Sequence, residues 1–149
     1  PFNTYGPGQS ARAVLPAIIA QALTGAEIRL GATDTRRDLT FVTDTVAGLA
    51  AAAAAPDPPA VVQLGSGQAP AVAEMVAQVG AVLGRELRVV ADPGRLRPAA
   101  SEISELRSDP SRAREHLGWS ASTALEEGIT ATVEWMRTRG TAPVEDYAR

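Results

Sequence analysis

The chain of 149 residues has no cysteine and no lysine. The first absence excludes disulfides and thiol chemistry, and a cysteine-free chain suits the cytoplasm. The second excludes a Schiff base and any lysine-assisted proton transfer. All 14 basic residues are therefore arginine, as in an alanine- and arginine-rich product of a GC-rich genome. There is a single histidine, His116, set between Glu115 and Leu117. No second ligand stands at usable spacing from it, so no metal constellation is expected and the ordinary reading is a surface histidine. No run of about 20 apolar residues occurs, and the opening residues lack the basic-then-apolar pattern of a signal peptide. The net charge of −3 gives no general pull toward nucleic acid or an anionic membrane.

What is present reads as alternating strands and helices, the pattern of one α/β domain. Residues 1–9 are a strand end running into a loop. Leu15, Ile18, Ile19, Ala22 and Leu23 follow the helical period, with Pro16 in the first turn and Gly25 as the stop. Glu27 to Leu30 is a short strand, Gly31 to Arg37 a polar loop, and Leu39 to Val42 a second alternating strand. Asp44 is placed to cap a helix running through the alanine-rich stretch to Ala55, which Asp57-Pro58-Pro59 ends. Ala60 to Leu64 reads as a strand. A helix over Val72 to Leu83 follows from the spacing of Val72, Met75, Val76, Val79 and Leu83, with Gly84 as its C-terminal cap. Leu87 to Val90 is a further strand. Asp109 caps a short helix with Pro110 at its first position and Gly118 at its end. Thr123 and Glu126 suggest a capping box for the last helix, striped by Leu125, Ile129, Val133 and Met136. Residues 1–140 form the folded unit, and 141–149 are expected to be a flexible tail.

Few residues suggest chemistry. Glu102 and Glu105 lie one helical turn apart and read as a solvated face rather than an acid/base pair. Gly65-Ser66-Gly67 follows a strand and precedes a helix, a place where free N–H groups favour anions. The dinucleotide fingerprint needs a third glycine and an acidic residue about 20 positions on, so a tight turn is the simpler reading. The arginines are more informative. Arg36-Arg37-Asp38 and Arg95-Leu96-Arg97-Pro98 sit in loops beside strands, where planar guanidinium forks suit bidentate binding of a diphosphate. Trp119 and Trp135 read as packing residues.

Five pieces occur in order: Pro1-Phe2-Asn3-Thr4-Tyr5-Gly6-Pro7-Gly8-Gln9, Arg37-Asp38-Leu39-Thr40-Phe41-Val42-Thr43-Asp44, Arg97-Pro98, Leu117-Gly118-Trp119 and the closing helix Leu125–Trp135. Together, over nearly the whole chain, they resemble the C-terminal half of nucleotide-sugar epimerases and dehydratases of the extended short-chain dehydrogenase/reductase family. The run Ser10 to Pro16 is most similar to the 4,6-dehydratase type. The resemblance implies an α/β fold comprising a substrate-binding lobe with the last strand and helices of a Rossmann-type sheet. It implies that Asn3 hydrogen-bonds the sugar nucleotide, that Arg37 and Arg97 clamp its diphosphate, and that Arg12 lines the same cleft. Pro1 and Phe2 would lie beside the nicotinamide of NAD or NADP. The substrate would be a UDP-, dTDP- or GDP-sugar, and the parent enzyme a cytoplasmic homodimer.

The family's glycine-rich cofactor loop and Tyr-x-x-x-Lys pair are not in this sequence. The expectation is therefore a chain without catalytic residues of its own, lacking the N-terminal cofactor-binding half and unable to bind the cofactor alone. It then functions as the substrate-positioning portion of a dehydratase or epimerase, or as a non-catalytic sugar-nucleotide-binding or interaction module. A further expectation is exposed apolar surface beside Ala60–Leu64.

Overall fold

The computed structural model describes residues 1–95 and 103–139. Three parallel strand pairs and five helices make up this part of the chain. Strand β1 (Asn3–Tyr5) pairs with β4 (Leu39–Phe41), Asn3 lying opposite Leu39. Strand β2 (Glu27–Leu30) pairs with β5 (Arg88–Ala91). Strand β3 (Arg36–Arg37) pairs with β6 (Glu105–Leu106), placing Arg37 opposite Leu106. Parallel pairing demands long crossovers. Helices α1 (Val14–Thr24), α2 (Val42–Ala54) and α3 (Val72–Leu83) lie within those crossovers, and α4 (Ser111–Leu117) and α5 (Leu125–Arg139) follow β6. The α/β class read from the sequence is the class observed.

The core is a three-helix layer in which α1, α3 and α5 pack on one another. Helix α1 is buried continuously from Leu15 to Ala20, and Ile18 and Ile19 are wholly inaccessible. Burying such a side chain contributes about 1.5–3 kcal/mol. Met75, Val76 and Val79 answer from α3, and Ile129, Val133 and Met136 from α5. Tyr5 enters this core from β1 and meets the Phe41 ring edge-on at 5.5 Å. A smaller cluster of Leu64, Ala113 and Trp119 sits under α2. There Gly48 allows a close approach, since a Cβ would lie 2.9 Å from Leu64 and 3.0 Å from Trp119. Trp119 is buried and Trp135 packs against the main core, both as read from the sequence. His116 is exposed beside Glu115, also as read.

Several local expectations are corrected. Residues 60–64 form no strand ladder among the described residues. One bond, from the Phe2 N–H to the Leu64 carbonyl at 2.8 Å, fastens them to the chain's start. Residues 31–37 are not wholly loop, because Arg36–Arg37 pair with β6. Glu105 is on that strand rather than a helical turn, and its carboxylate binds Arg107 at 2.6 Å; Glu102 lies outside the described residues. Helix α4 begins one residue late: Pro110 is its N-cap, and the Asp109 carboxylate accepts the Ser111 N–H at 3.0 Å. The capping contact of α5 falls on Glu127, which accepts the Ala124 N–H, and not on Glu126. The apolar surface expected beside residues 60–64 is present: Val46 and Leu49 on α2 and Val61 are 59%, 49% and 64% exposed. The tail 141–149 lies outside the described residues.

Gly128 in α5 is where the Tyr5 ring needs space, since a Cβ there would sit 2.7 Å from Tyr5 Cζ and overlap its hydroxyl. A mid-helix glycine costs about 1 kcal/mol relative to alanine, so the exchange reads directly on packing. Gly128→Ala is expected to destabilise the fold by about 1–3 kcal/mol despite its better helix propensity. Tyr5→Phe in the same chain should return part of the loss. Urea unfolding of the single and double variants checks this, and a stabilised Gly128→Ala would remove the packing account.

Candidate functional site

The carboxyl end of β2, the start of α1, the start of β1, the end of β3 and the turn after β5 border one cleft of about 330 Å³. Asn3 reaches it from β1, Arg12 from the loop before α1, Arg37 from β3, and Arg95 from the 3-10 turn Pro93–Arg95. Among the described residues no carboxylate lines it. Helix α1 starts at the same cleft with Ala13 as its N-cap and no side-chain cap hydrogen bond. The positive end of its dipole therefore adds to the guanidinium charges.

Each cationic side chain is held differently. Arg37 Nη1 donates to the Arg36 carbonyl at 2.8 Å. Arg95 Nε is 3.2 Å from Asp92 Oδ2, and Asp92 Oδ1 accepts the Gly94 N–H at 3.0 Å, so the acid braces both the turn and the arginine. Among the described residues the Arg12 guanidinium has no protein partner. Arg36 is turned away, to the Ala69 carbonyl at 3.0 Å and to Glu74 at 3.3 Å. Asn3, Arg12 and Arg37, three of the residues singled out from sequence, thus come together. Arg97 lies outside the described residues. Pro1 and Phe2 stand apart with Leu106, beside Asn3, around a shallower hollow of about 340 Å³.

A buried carboxylate organises this side of the molecule. Asp38 is wholly inaccessible. Its Oδ1 accepts the Ser66 N–H at 2.9 Å and the Ser66 hydroxyl at 2.6 Å. Its Oδ2 accepts the Gly67 N–H at 2.9 Å, the Ser108 N–H at 3.0 Å and the Ser108 hydroxyl at 2.5 Å. The Gly65-Ser66-Gly67 turn is thus an anion nest whose anion is internal. A Cβ on Gly65 would overlap Ser108. The first N–H groups of α3 are also engaged internally: Thr35 accepts from Val72 at 3.0 Å and Thr33 from Ala73 at 2.9 Å. Burial works to raise the Asp38 pKa, but the hydroxyl and N–H donors of Ser108 and Ser66 outweigh it and hold the carboxyl below its ordinary 3.8.

Asp44 does not cap its own helix. From the first turn of α2 its carboxylate accepts Ser122 N–H at 3.1 Å, Ser122 hydroxyl at 3.1 Å and Thr123 N–H at 2.9 Å. Its carbonyl takes the Trp119 indole N–H at 3.0 Å. Tyr5 has its hydroxyl facing the Leu125 carbonyl at 3.5 Å, and burial, then Asp44 and Glu127, raise its pKa above the ordinary 10.0. The hydroxyl therefore stays protonated near neutral pH. Asp38 and Arg95 were both legible as letters of motifs. Nothing in a linear pattern showed that one would be the brace and the other would line the cleft.

The GDP-mannose 4,6-dehydratase family model matches residues 1–132. The chain is 31% identical over 143 residues to UDP-glucose 4-epimerase of Mycolicibacterium smegmatis, covering 93% of this chain and 44% of that protein. It is 27% identical to GDP-6-deoxy-D-mannose reductase of Pseudomonas aeruginosa, over 91% of this chain and 46% of the relative. Among solved structures, TunA, an NAD-dependent NDP-hexosamine 5,6-dehydratase involved in tunicamycin biosynthesis, superposes with a TM-score of 0.81 at 35% identity, over 93% of this chain and 44% of that one. The chain thus spans about half the length of the relatives it matches.

The depressed Asp38 pKa fixes a pH dependence. A carboxyl whose folded pKa is lowered contributes stability that is complete well above the unfolded value and lost as pH falls through the folded one. The urea midpoint is therefore expected to drop on acidification below the ordinary value of 3.8. Ser108→Ala, which removes one hydroxyl donor, should flatten that acid limb. Parallel acid profiles for the two proteins would show that the knot does not set it.

Proposed function

Because the chain belongs to the GDP-mannose 4,6-dehydratase family, within the extended short-chain dehydrogenase/reductases of nucleotide-sugar metabolism, we propose that it is the substrate-positioning portion of an NAD(P)-dependent nucleotide-sugar 4,6-dehydratase or epimerase. The observation that carries this reading is the convergence of Asn3, Arg12 and Arg37, with Arg95, on one cleft that no carboxylate lines among the described residues. A diphosphate is costly to move out of water unless its charge is met. Guanidinium forks meet it with two donors each, and the α1 N-terminus adds main-chain polarity on the same side. The cleft is large enough for part of a nucleotide sugar and lies at the carboxyl end of β2, where open α/β sheets bind ligands.

In this reading Arg37 and Arg12 grip the diphosphate and Asn3 hydrogen-bonds the sugar nucleotide; the family resemblance assigns the same diphosphate to Arg97, which lies outside the described residues. Pro1, Phe2 and Leu106 offer an apolar wall that fits one face of a nicotinamide ring. When bound, the cofactor supplies the hydride acceptor for the sugar C4. This chain contributes orientation, and holding reactants in register accounts for up to about 7–11 kcal/mol of a barrier in favourable cases. The parent enzyme acts as a cytoplasmic homodimer on a UDP-, dTDP- or GDP-sugar. A second reading, a non-catalytic sugar-nucleotide-binding module, draws on the absence of lysine and the burial of Tyr5, which leave no tyrosine–lysine acid/base pair here.

Calorimetry with UDP-, dTDP- and GDP-sugars tests the cleft. One of the three is expected to bind, more weakly as salt is raised. Arg37→Ala should lose about 1.5–3 kcal/mol, the worth of a charge-assisted hydrogen bond, or roughly 10–150-fold in affinity. Arg12→Ala should lose less, because its side chain is more exposed. Binding of none of the three, or an Arg37→Ala chain that binds as well as the parent sequence, would sink the reading.

A further inference from the structure

We propose that Asp38 is a positioning residue for the substrate cleft, acting through Asn3 and Arg37; the proposal rests on the functional reading above. Residue 38 stands where the chain leaves one strand pair for another. Just before it, Arg37 is in register with Leu106 in the β3–β6 pair; just after it, Leu39 is in register with Asn3 in the β4–β1 pair. Both main-chain polar groups of Asp38 bond across this junction. Its N–H donates to the Leu106 carbonyl at 2.8 Å, and its carbonyl accepts from Asn3 Nδ2 at 2.9 Å.

The Asn3 carboxamide is therefore oriented by the main chain of Asp38. That main chain is in turn fixed by the five bonds to its carboxylate from Ser66, Gly67 and Ser108. Arg37 and Leu39, the residues on either side, both line the cleft. Residue 38 itself lines neither the cleft nor the hollow beside Pro1. Its influence on a ligand must pass through its neighbours. With the carboxylate removed, Ser66, Gly67 and Ser108 lose their common acceptor. The junction is then free to shift, and Asn3 and Arg37 shift with it.

Asn3 is the sole asparagine of the chain, so selective ¹⁵N-asparagine labelling reports its side-chain amide alone. In Asp38→Ala the Asn3 amide resonances are expected to move toward those of a solvated asparagine. Affinity for uridine diphosphate should fall about tenfold or more, the scale on which supporting hydrogen bonds act on binding groups at metal sites. Ser108→Ala should produce the same two changes at smaller amplitude in a chain that keeps its fold by circular dichroism. Arg12→Ala is the control: affinity should fall while the Asn3 signal stays in place. An Asp38→Ala chain with lowered stability but an unmoved Asn3 signal and unchanged affinity would make Asp38 a structural brace only. If Asp38→Ala does not fold, the same pair of readings on Ser108→Ala decides. If the parent sequence binds no uridine, thymidine or guanosine diphosphate, the functional reading fails. The Asn3 signal still decides whether Asp38 positions it.

Discussion

The described structure depends most on one buried negative charge. A carboxylate removed from water costs several kcal/mol unless it is fully hydrogen-bonded. Asp38 meets that condition with donors from two distant segments, 28 and 70 residues away. The requirement works in both directions. The carboxylate needs donors, and the donors sit in a turn and a loop that have no strand ladder to satisfy them. Collecting both around one atom pair fixes the β3–β4 junction, the Gly65-Ser66-Gly67 turn and the approach to α4 together. Gly65 then follows as a packing necessity, because Ser108 occupies the space a side chain would need.

The same device is repeated six residues on. Asp44 uses its carboxylate to hold Ser122 and Thr123 and its carbonyl to hold the Trp119 indole. This ties α2 to the start of α5 and closes the small cluster around Trp119 and Leu64. Tyr5 has its ring in the apolar core and its hydroxyl toward the Leu125 carbonyl. Burial and the nearby acids keep that hydroxyl protonated. The two buried acids, Asp38 and Asp44, are thus spent on scaffolding, and among the described residues the charge lining the cleft comes from arginine.

The sequence carried the elements whose signal is local. Helix α3 and strand β2 have the bounds the spacing predicted, because a 12-residue apolar period and a four-residue alternation are sufficient evidence on their own. The left-handed caps at Gly84 and Gly118 were legible for the same reason. The errors fall where a distant partner decides the outcome. Residues 60–64 have strand composition, yet a strand requires a ladder, and one bond from Phe2 does not make one. Strands β3 and β6 are each two residues long and become strands only by meeting each other. Asp44 had the spacing of a cap, but its acceptor capacity is taken by residues nearly 80 positions away. At the cleft, the arginines were visible as chemistry while the aspartate that orders them was visible only as a letter between them.

Arg36 and Arg37 show why order matters more than composition here. They are adjacent, equally basic and on one short strand, yet Arg36 is paired with Glu74 on α3 while Arg37 lines the cleft. Strand alternation alone produces the difference, since successive side chains point to opposite faces. A slip of one residue would turn Arg37 toward Glu74 and present the flanking residues, Arg36 and the Asp38 carboxylate, on the opposite face. The cleft would then carry a carboxylate beside its cation in the place where a diphosphate is to be held, and the donors of Ser66, Gly67 and Ser108 would lose their acceptor. The short β3–β6 ladder is too weak to forbid this by itself. The five bonds to Asp38 are specific to one register, so the group that costs most to bury is also the one that determines which arginine faces the ligand.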